Sequence, residues 1–187
     1  MDKTVKILGI VGSLRKHSYN HGLMRAAMEQ VPSHCKLEEF DIGEIPLYNQ
    51  DDEANLPQSV AHLKAQVRAA DAILIATPEY NYSMPGVLKN VLDWGSRPYG
   101  DNAWDNKPVA MMGASPAMQG TSRAQYHLRQ VFVYLNMHPL NRPEIMVGSA
   151  QDKFDAQGRL TDPKTGQKVG ELLMALIAHT LKLRSDI

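Results

Sequence analysis

The sequence predicts one α/β domain over residues 1–187, with a doubly wound, five-stranded parallel sheet covered by helices on both faces. Two observations predict it. Short apolar runs rich in β-branched residues recur along the chain, and segments with a helical spacing of apolar residues lie between them. A strand buried on both faces of a parallel sheet is an almost continuous apolar run, and a regular alternation of strand and helix is typical of such sheets.

The predicted strands differ in how completely they are apolar. Val5–Val11 and Ala72–Thr77 are almost wholly apolar, and Val109–Met112 is a shorter run of the same kind. Leu37–Asp41 contains two glutamates and alternates, which favours an edge strand. Ile145–Val147 is the short fifth strand.

Helical spacing connects these strands. Ser18 suits the N-cap of a first helix that contains Leu23 and Ala27. The other four predicted helices cover Ser59–Ala70, Pro85–Trp94, Ser122–Leu135 and Val169–Leu183. Gln151–Lys168, rich in Gly, Asp, Lys and Thr, is predicted to be a surface loop before the last helix.

The composition argues against several classes of function. Lys plus Arg and Asp plus Glu each number 20, so a formal net charge of zero gives no electrostatic reason to expect nucleic acid or an anionic membrane as partner. Cys35 is the single cysteine, which excludes an intrachain disulfide and a thiolate metal cluster. No apolar stretch approaches the roughly 20 residues of a membrane span, and no signal peptide is recognisable. We therefore expect a cytoplasmic protein.

The segment after the first strand has the composition of a phosphate-binding loop. It reads Gly-Ser-Leu-Arg-Lys-His-Ser-Tyr-Asn over residues 12–20. The helix that follows offers free backbone N–H groups and a partial positive charge at its N-terminus. Ser13, Ser18 and Asn20 add neutral donors there, and Arg15 adds charge. Because the same residues also suit a helix cap and a solvated turn, this loop alone leaves both interpretations open.

Other site motifs are absent from the sequence. Gly9 and Gly12 do not form the dinucleotide fingerprint G-x-G-x-x-G, and no G-x-x-x-x-G-K-[ST] triphosphate loop occurs. Residues 113–117 lack the second glycine of the hydrolase motif G-x-S-x-G. His17 and His21 are spaced like a metal-binding pair but have no third ligand in the motif, so no metal site is predicted.

A second loop follows the third strand and reads Thr-Pro-Glu-Tyr-Asn-Tyr-Ser-Met-Pro-Gly over residues 77–86. Two prolines favour a rigid loop. Its tyrosines offer aromatic surface beside backbone donors and acceptors, which suits a flat heteroaromatic ring. In the flavodoxin-like strand order 2-1-3-4-5, strands one and three are neighbours, so the two loops are predicted to lie side by side.

Together, the two loops resemble the NADPH-dependent FMN reductase family, and within it the branch of bacterial quinone and chromate reductases. The resemblance covers nearly the whole chain and includes Arg-Ala-Gln-Tyr-His-Leu-Arg-Gln at residues 123–130. It implies bound FMN, NADPH or NADH as co-substrate, and a homodimer or homotetramer. The chain departs from the family's pattern at His17, where a small residue is common, and over residues 115–120, which hold few glycines.

The resemblance also implies which residues hold FMN. The phosphate positions are Ser13, Arg15, Ser18 and Asn20, and Tyr19 between them is included in the predicted site. The positions along the isoalloxazine ring are Pro78, Glu79, Tyr80, Asn81 and Tyr82, with Ser115 as a further contact. No side chain is predicted to act as a catalytic acid or base, because the flavin N5 carries the chemistry.

The sequence thus predicts an oxidoreductase that passes electrons from NAD(P)H through FMN to a small acceptor by a ping-pong mechanism. The acceptor can be a quinone, chromate, an azo or nitro compound, or free flavin. Two alternatives stay open. One is a non-enzymatic electron carrier of the flavodoxin type, against which the neutral charge counts because such carriers are acidic for docking. The other is a flavodoxin-like domain without flavin, such as a hydrolase or a ligand sensor.

Overall fold

The computed structural model describes residues 4–185. Its strands in this range are β1 Lys6–Val11, β2 Lys36–Phe40, β3 Ala72–Ala76, β4 Pro108–Ala114, β5 His138–Pro139 and β6 Ile145–Val147. All of them pair in parallel in one sheet, with the order β2-β1-β3-β4-β5 and with β6 also paired to β4. The predicted parallel sheet and its order 2-1-3-4-5 are confirmed.

The fifth position of the sheet is divided between two short strands. β5 pairs with Pro108 and Val109 at the start of β4, whereas β6 pairs with Met112–Ala114 at its end. The predicted fifth strand at Ile145–Val147 therefore forms only part of this edge. The segment His138–Pro139 gives no strand signal in the sequence, because two residues make no apolar run and proline lacks the N–H group that a ladder needs.

The α-helices that cover the sheet are α1 Tyr19–Met28, α2 Gln58–Ala69, α3 Gly86–Gly95, α4 Ser122–Tyr134 and α5 Pro163–Ser185. Short 3₁₀ helices cover Gln50–Asn55 and Ala150–Asp152. The first four α-helices begin within one residue of the predicted starts. No helix within residues 4–185 is long and apolar enough to cross a membrane.

The strands send alternate side chains into two apolar clusters, one on each face of the sheet. In β1, Ile7 and Val11 pack with residues of α1 and α5, whereas Leu8 and Ile10 pack with residues of α2, α3 and α4. This is the period of two that a strand imposes. Because helices cover both faces, the loops at the carboxyl ends of the strands are the region left for a ligand.

The last helix begins earlier than the sequence predicts, so the predicted loop Gln151–Lys168 is wrong over its last third, residues 163–168. α5 starts at Pro163, and the Asp162 carboxylate accepts from the Thr165 N–H at 2.8 Å and from the Thr165 hydroxyl at 2.6 Å. A carboxylate that caps a first turn containing proline is a strong helix start. Glycines and lysines in the first two turns hide the apolar periodicity of this helix in the sequence.

Candidate functional site

The first loop, residues 12–18 between β1 and α1, presents unused hydrogen-bond donors. The Oγ of Ser18, the N-cap of α1, accepts from the N–H of Asn20 at 3.2 Å. The Ser13 Oγ accepts from the Arg15 N–H at 3.3 Å. The N–H groups of Ser13 and Leu14 have no hydrogen-bond acceptor among residues 4–185. Both serines are buried, whereas Leu14 is exposed, so an anion at this loop would meet two buried hydroxyls and N–H groups that open to solvent at Leu14.

Asn20 joins α1 to β4. Its Nδ2 donates to the carbonyl of Ala114 at 3.1 Å, and its Oδ1 accepts from the Ala114 N–H at 2.9 Å. The side chain is almost fully buried. The amide therefore satisfies both backbone groups of a residue at the end of β4, and it fixes the distance between the start of α1 and the carboxyl end of that strand.

Arg15 and Tyr19 border the first loop in different ways. Arg15 is exposed and makes no salt bridge to any acidic residue within the described chain, so its charge is available to an anion. Tyr19 is half-buried, and its ring packs against Phe154 with the ring centroids 5.0 Å apart. The segment after β6 thus covers the start of α1.

The second loop, residues 77–85 between β3 and α3, is tied to α4 by Glu79. Its Oε2 accepts from the N–H groups of Arg123 at 3.0 Å and Ala124 at 3.1 Å, and its Oε1 pairs with the Arg123 guanidinium. The Glu79 side chain is only 5% exposed. A carboxylate is stabilised at a helix N-terminus by the free N–H groups and the helix dipole. Glu79 therefore caps α4 from a distant loop.

The tip of the second loop is a two-residue turn. Tyr80 and Ser83 exchange two backbone hydrogen bonds of 3.0 Å, and Asn81 and Tyr82 between them have φ angles of 49° and 66°. Positive φ at both central positions is what this hairpin turn requires, but it is uncommon for a tyrosine. The Arg123 guanidinium lies 3.7 Å from the centroid of the Tyr82 ring, a cation–π contact that holds this exposed side chain.

These loops meet at one cleft at the carboxyl ends of β1, β3 and β4. Ser115 lies directly after β4. Its N–H donates to the Val147 carbonyl at 2.9 Å, and its backbone carbonyl accepts from the Ala150 N–H at 3.1 Å. The lining residues are Ser13, Arg15, Ser18, Tyr19, Asn20, Pro78, Glu79, Tyr80, Ala114, Ser115 and Pro116. Nine of them belong to the predicted site, whereas Asn81 and Tyr82 lie outside the lining.

His21 lies behind the first loop. Its Nδ1 is 2.7 Å from Glu39 Oε1, and its Nε2 is 3.0 Å from the Ser13 carbonyl oxygen. The hydrogen bond with Glu39 raises the pKa of His21, and partial burial and the Arg25 charge act in the opposite direction. Within residues 4–185, no group of three His, Cys, Asp or Glu side chains is placed to hold a metal ion.

Comparison with known proteins identifies the chain's relatives. The model of the family described as NADPH-dependent FMN reductase matches residues 5–152. An NAD(P)H-dependent FMN reductase of Pseudomonas aeruginosa is 51% identical over 185 residues, which cover 98% of this chain and 100% of that protein.

This chain belongs to the NADPH-dependent FMN reductase family. Its enzyme class is therefore NAD(P)H-dependent oxidoreductase, with FMN as cofactor. An NAD(P)H:quinone oxidoreductase of Solanum tuberosum is 44% identical over 187 residues, covering 96% of this chain and 95% of that protein. The solved structure of FerB, a flavoenzyme NAD(P)H:(acceptor) oxidoreductase of Paracoccus denitrificans, matches with a TM-score of 0.87 and 36% identity, covering 95% of this chain and 98% of FerB.

The cleft of this FMN reductase fits its cofactor in two respects. Buried hydroxyls and unbonded N–H groups of the first loop suit a phosphate. Tyr80, with the prolines Pro78 and Pro116, lines the same cleft and suits an aromatic ring.

Two further residues support the site of this FMN reductase, and neither is among those predicted from the sequence. Arg123 holds both Glu79 and the Tyr82 ring, and the His127 Nδ1 lies 2.9 Å from the Ser83 Oγ. One sequence signal is available for Arg123. A cation in the first turn of a helix opposes the helix dipole, and α4 has no acidic residue in that turn, so a carboxylate from elsewhere in the chain is expected beside it.

Proposed function

We propose that this enzyme reduces quinones with NAD(P)H, with FMN bound in the cleft at the ends of β1, β3 and β4. The observation that carries the proposal is the arrangement of that cleft, which has anion-binding groups of the first loop and aromatic surface of the second loop around one opening. The names of the relatives support quinones as the acceptor class, since one similar protein is an NAD(P)H:quinone oxidoreductase. Chromate, azo and nitro compounds and free flavin are further candidate acceptors.

In this proposal the first loop holds the phosphate of FMN. The Ser13 and Leu14 N–H groups and the Ser13 and Ser18 hydroxyls donate hydrogen bonds, and Arg15 contributes charge. Asn20 acts by position, because both of its polar atoms are bonded to Ala114. Bound FMN supplies the redox chemistry, in which NAD(P)H reduces it and the acceptor reoxidises it.

The second loop borders the ring in this proposal. Pro78, Glu79 and Tyr80 line the cleft, and the Glu79 carboxylate keeps the loop in place through α4. We propose that NAD(P)H and the acceptor use the same opening in turn, and that no side chain transfers a proton in the rate-determining step. Double-reciprocal plots of the initial rate against NAD(P)H concentration, recorded at several quinone concentrations, should then give parallel lines. Intersecting lines would contradict the alternating use of one opening by the two substrates.

A visible spectrum of the protein with added FMN, taken before and after anaerobic NADPH or NADH, tests the core of the proposal. A bound-flavin spectrum that either reductant bleaches promptly supports a reductase, and the rates with the two reductants give the cofactor preference. Bound flavin that neither reductant bleaches would indicate an electron carrier instead. Protein that cannot be reconstituted with FMN would overturn the proposal.

We also propose that residues 1–187 act as one FMN-binding domain in a cytoplasmic homodimer or homotetramer. Large apolar side chains on the outer surface of α4 support self-association, because Tyr126, Val133 and Tyr134 are all exposed. The formal net charge of zero means that copies of the chain repel one another only weakly, which also permits self-association. Light scattering after size-exclusion chromatography tests this, and a monomer at micromolar concentration would contradict it.

A further inference from the structure

His21 has two hydrogen-bond partners that can only accept. The Glu39 carboxylate, at the end of β2, lies 2.7 Å from Nδ1, and the Ser13 carbonyl lies 3.0 Å from Nε2. Neutral imidazole carries one N–H, so it can satisfy only one of two acceptors. A neutral imidazole beside an ionised carboxylate therefore has one proton too few for the observed geometry. The His21–Glu39 pair must carry one additional proton.

This protonated pair lies where the helix itself disfavours a cation. His21 is the third residue of α1, and the free N–H groups of that turn already carry partial positive charge. Arg25 is one turn further along the helix and opposes the proton, whereas Glu39 favours it. Three more charged residues line the same cleft as His21 and Glu39: Arg15 and Lys16 from the first loop, and Asp41 after β2. Glu39 thus stabilises a charge that the local sequence of α1 does not.

The contact with Ser13 connects this pair to the proposed FMN site. The Ser13 carbonyl and the unbonded Leu14 N–H belong to the same peptide unit. Ser13, which is buried, also carries the second unbonded N–H group of the loop. A hydrogen bond to the carbonyl fixes the orientation of that peptide unit and polarises its N–H. His21 and Glu39 also line a second cleft, which shares Ser13 and Arg15 with the first and gives the pair access to solvent.

We propose that His21, held by Glu39, is a positioning residue for the phosphate loop, and that the affinity for FMN depends on the proton of this pair. The inference rests on the proposed binding of the FMN phosphate at the first loop. The protonated pair holds the Ser13–Leu14 peptide and adds positive charge behind it. By thermodynamic reciprocity, a bound phosphate dianion favours the same proton. FMN binding at a pH above the pKa of His21 in the free protein is therefore accompanied by proton uptake.

The FMN affinity should fall as the pH rises, because FMN binds to the form in which the His21–Glu39 pair carries the additional proton. The pKa of His21 is raised by Glu39, so the FMN affinity is fully present below that pKa and is lost as the pH rises through it. One charge-assisted hydrogen bond is lost in that transition, and the dissociation constant should rise about tenfold. Riboflavin, which lacks the phosphate, should show a much smaller change.

The test is the dissociation constant of FMN, measured by fluorescence quenching from about pH 6 to about pH 9, for the wild type and three variants. His21→Gln should bind FMN about tenfold more weakly than the wild type at the acidic end of this range, and it should lose the extra pH dependence. Glu39→Gln keeps an acceptor for Nδ1 but removes the charge, so the midpoint should move to lower pH while tight binding at low pH is retained. Glu38→Gln is the matched control, because Glu38 is an exposed neighbour paired with Lys36, and it should behave as the wild type.

Titration of the FMN phosphate itself is common to all variants, so it cancels in their ratios. Calorimetry in two buffers of different ionisation enthalpy should detect proton uptake on FMN binding by the wild type but not by His21→Gln. Identical pH profiles for the wild type, His21→Gln and Glu39→Gln would overturn the inference even if FMN binds and NADPH bleaches it. Failure of the wild type to bind FMN at all would instead overturn the proposed function.

Discussion

The first and second loops lie on opposite sides of one cleft, but they are built in different ways. The first loop leaves N–H groups of Ser13 and Leu14 unbonded and is held from behind by His21 and by the cap at Ser18. The second loop forms its own closed turn at Tyr80–Ser83 and anchors its carboxylate in a neighbouring helix. The first therefore offers donors to an anion, whereas the second offers a rigid edge with aromatic surface.

The comparison teaches that a residue in a binding motif need not face the ligand with its polar atoms. Asn20 and Glu79 are both motif residues, and the polar atoms of both are engaged with groups of other elements: the backbone of Ala114 for Asn20, and the first turn of α4 with the Arg123 guanidinium for Glu79. Each connects a loop to a distant part of the fold. Substitutions at these two positions should therefore affect folding stability, whereas substitutions at the unbonded donors should affect the ligand.

Glu79→Ala should have the largest effect on stability. The variant leaves two N–H groups of α4 and the Arg123 guanidinium without their carboxylate, and we expect a loss of about 2–3 kcal/mol in the free energy of unfolding. Urea denaturation of the apoprotein measures it. Asp93→Ala is the control, because Asp93 pairs with Lys89 on an exposed helix face and should cost less than about 0.5 kcal/mol. Equal effects of the two substitutions would refute the role of Glu79 as a remote cap.

Asn20→Ala should lower both stability and FMN affinity. The buried N–H and C=O groups of Ala114 lose their partners, so we expect a loss of about 2 kcal/mol in the free energy of unfolding. Asn102→Ala is a matched control, since Asn102 bonds the Trp104 N–H and the Leu135 carbonyl in the same manner. It should reduce stability while leaving FMN affinity unchanged. If Asn20→Ala weakens FMN binding without any loss of stability, direct ligation is the better account.

Ser13→Ala should affect the ligand more than the fold. Removing its hydroxyl should weaken FMN binding by about tenfold, as expected for one hydrogen bond to a charged group. Turnover with saturating FMN should stay close to that of the wild type, because the serine holds the phosphate end only. Titration of the apoprotein with FMN measures the first quantity, and Ser33→Ala, at an exposed turn, is the control. A large loss of turnover at saturating FMN would contradict this division of roles.

The smallest effect is expected at the tip of the second loop. Tyr82→Phe keeps the ring beneath Arg123 and should leave stability unchanged. Tyr82→Ala removes the cation–π contact and should cost about 0.5–1 kcal/mol. The difference between the two melting curves isolates the contribution of the ring. No difference between Phe and Ala at this position would show that the contact with Arg123 does not stabilise the turn.

The fold could be predicted from the sequence because the apolar patterns of its elements are local. The strands β1 and β3 and the Ser18 cap of α1 carry their signals within a few residues. The two-residue strand β5 and the early start of α5 carry too little local signal, and the structure corrects both. The single-domain organisation and the oligomeric state stay predictions.

The sequence by itself determined the parallel sheet and the two loops proposed to bind FMN, and the flavodoxin-like strand order then predicted that these loops lie side by side. Only the tertiary structure decided which side chains of those loops face the cleft and which connect it to the rest of the fold. The physical reason is sequence separation. Glu79 meets α4 44 and 45 residues further along the chain, and Asn20 meets Ala114 94 residues away. Contacts of this kind leave no periodicity or spacing in the sequence, because they form only when the sheet brings its strand ends together.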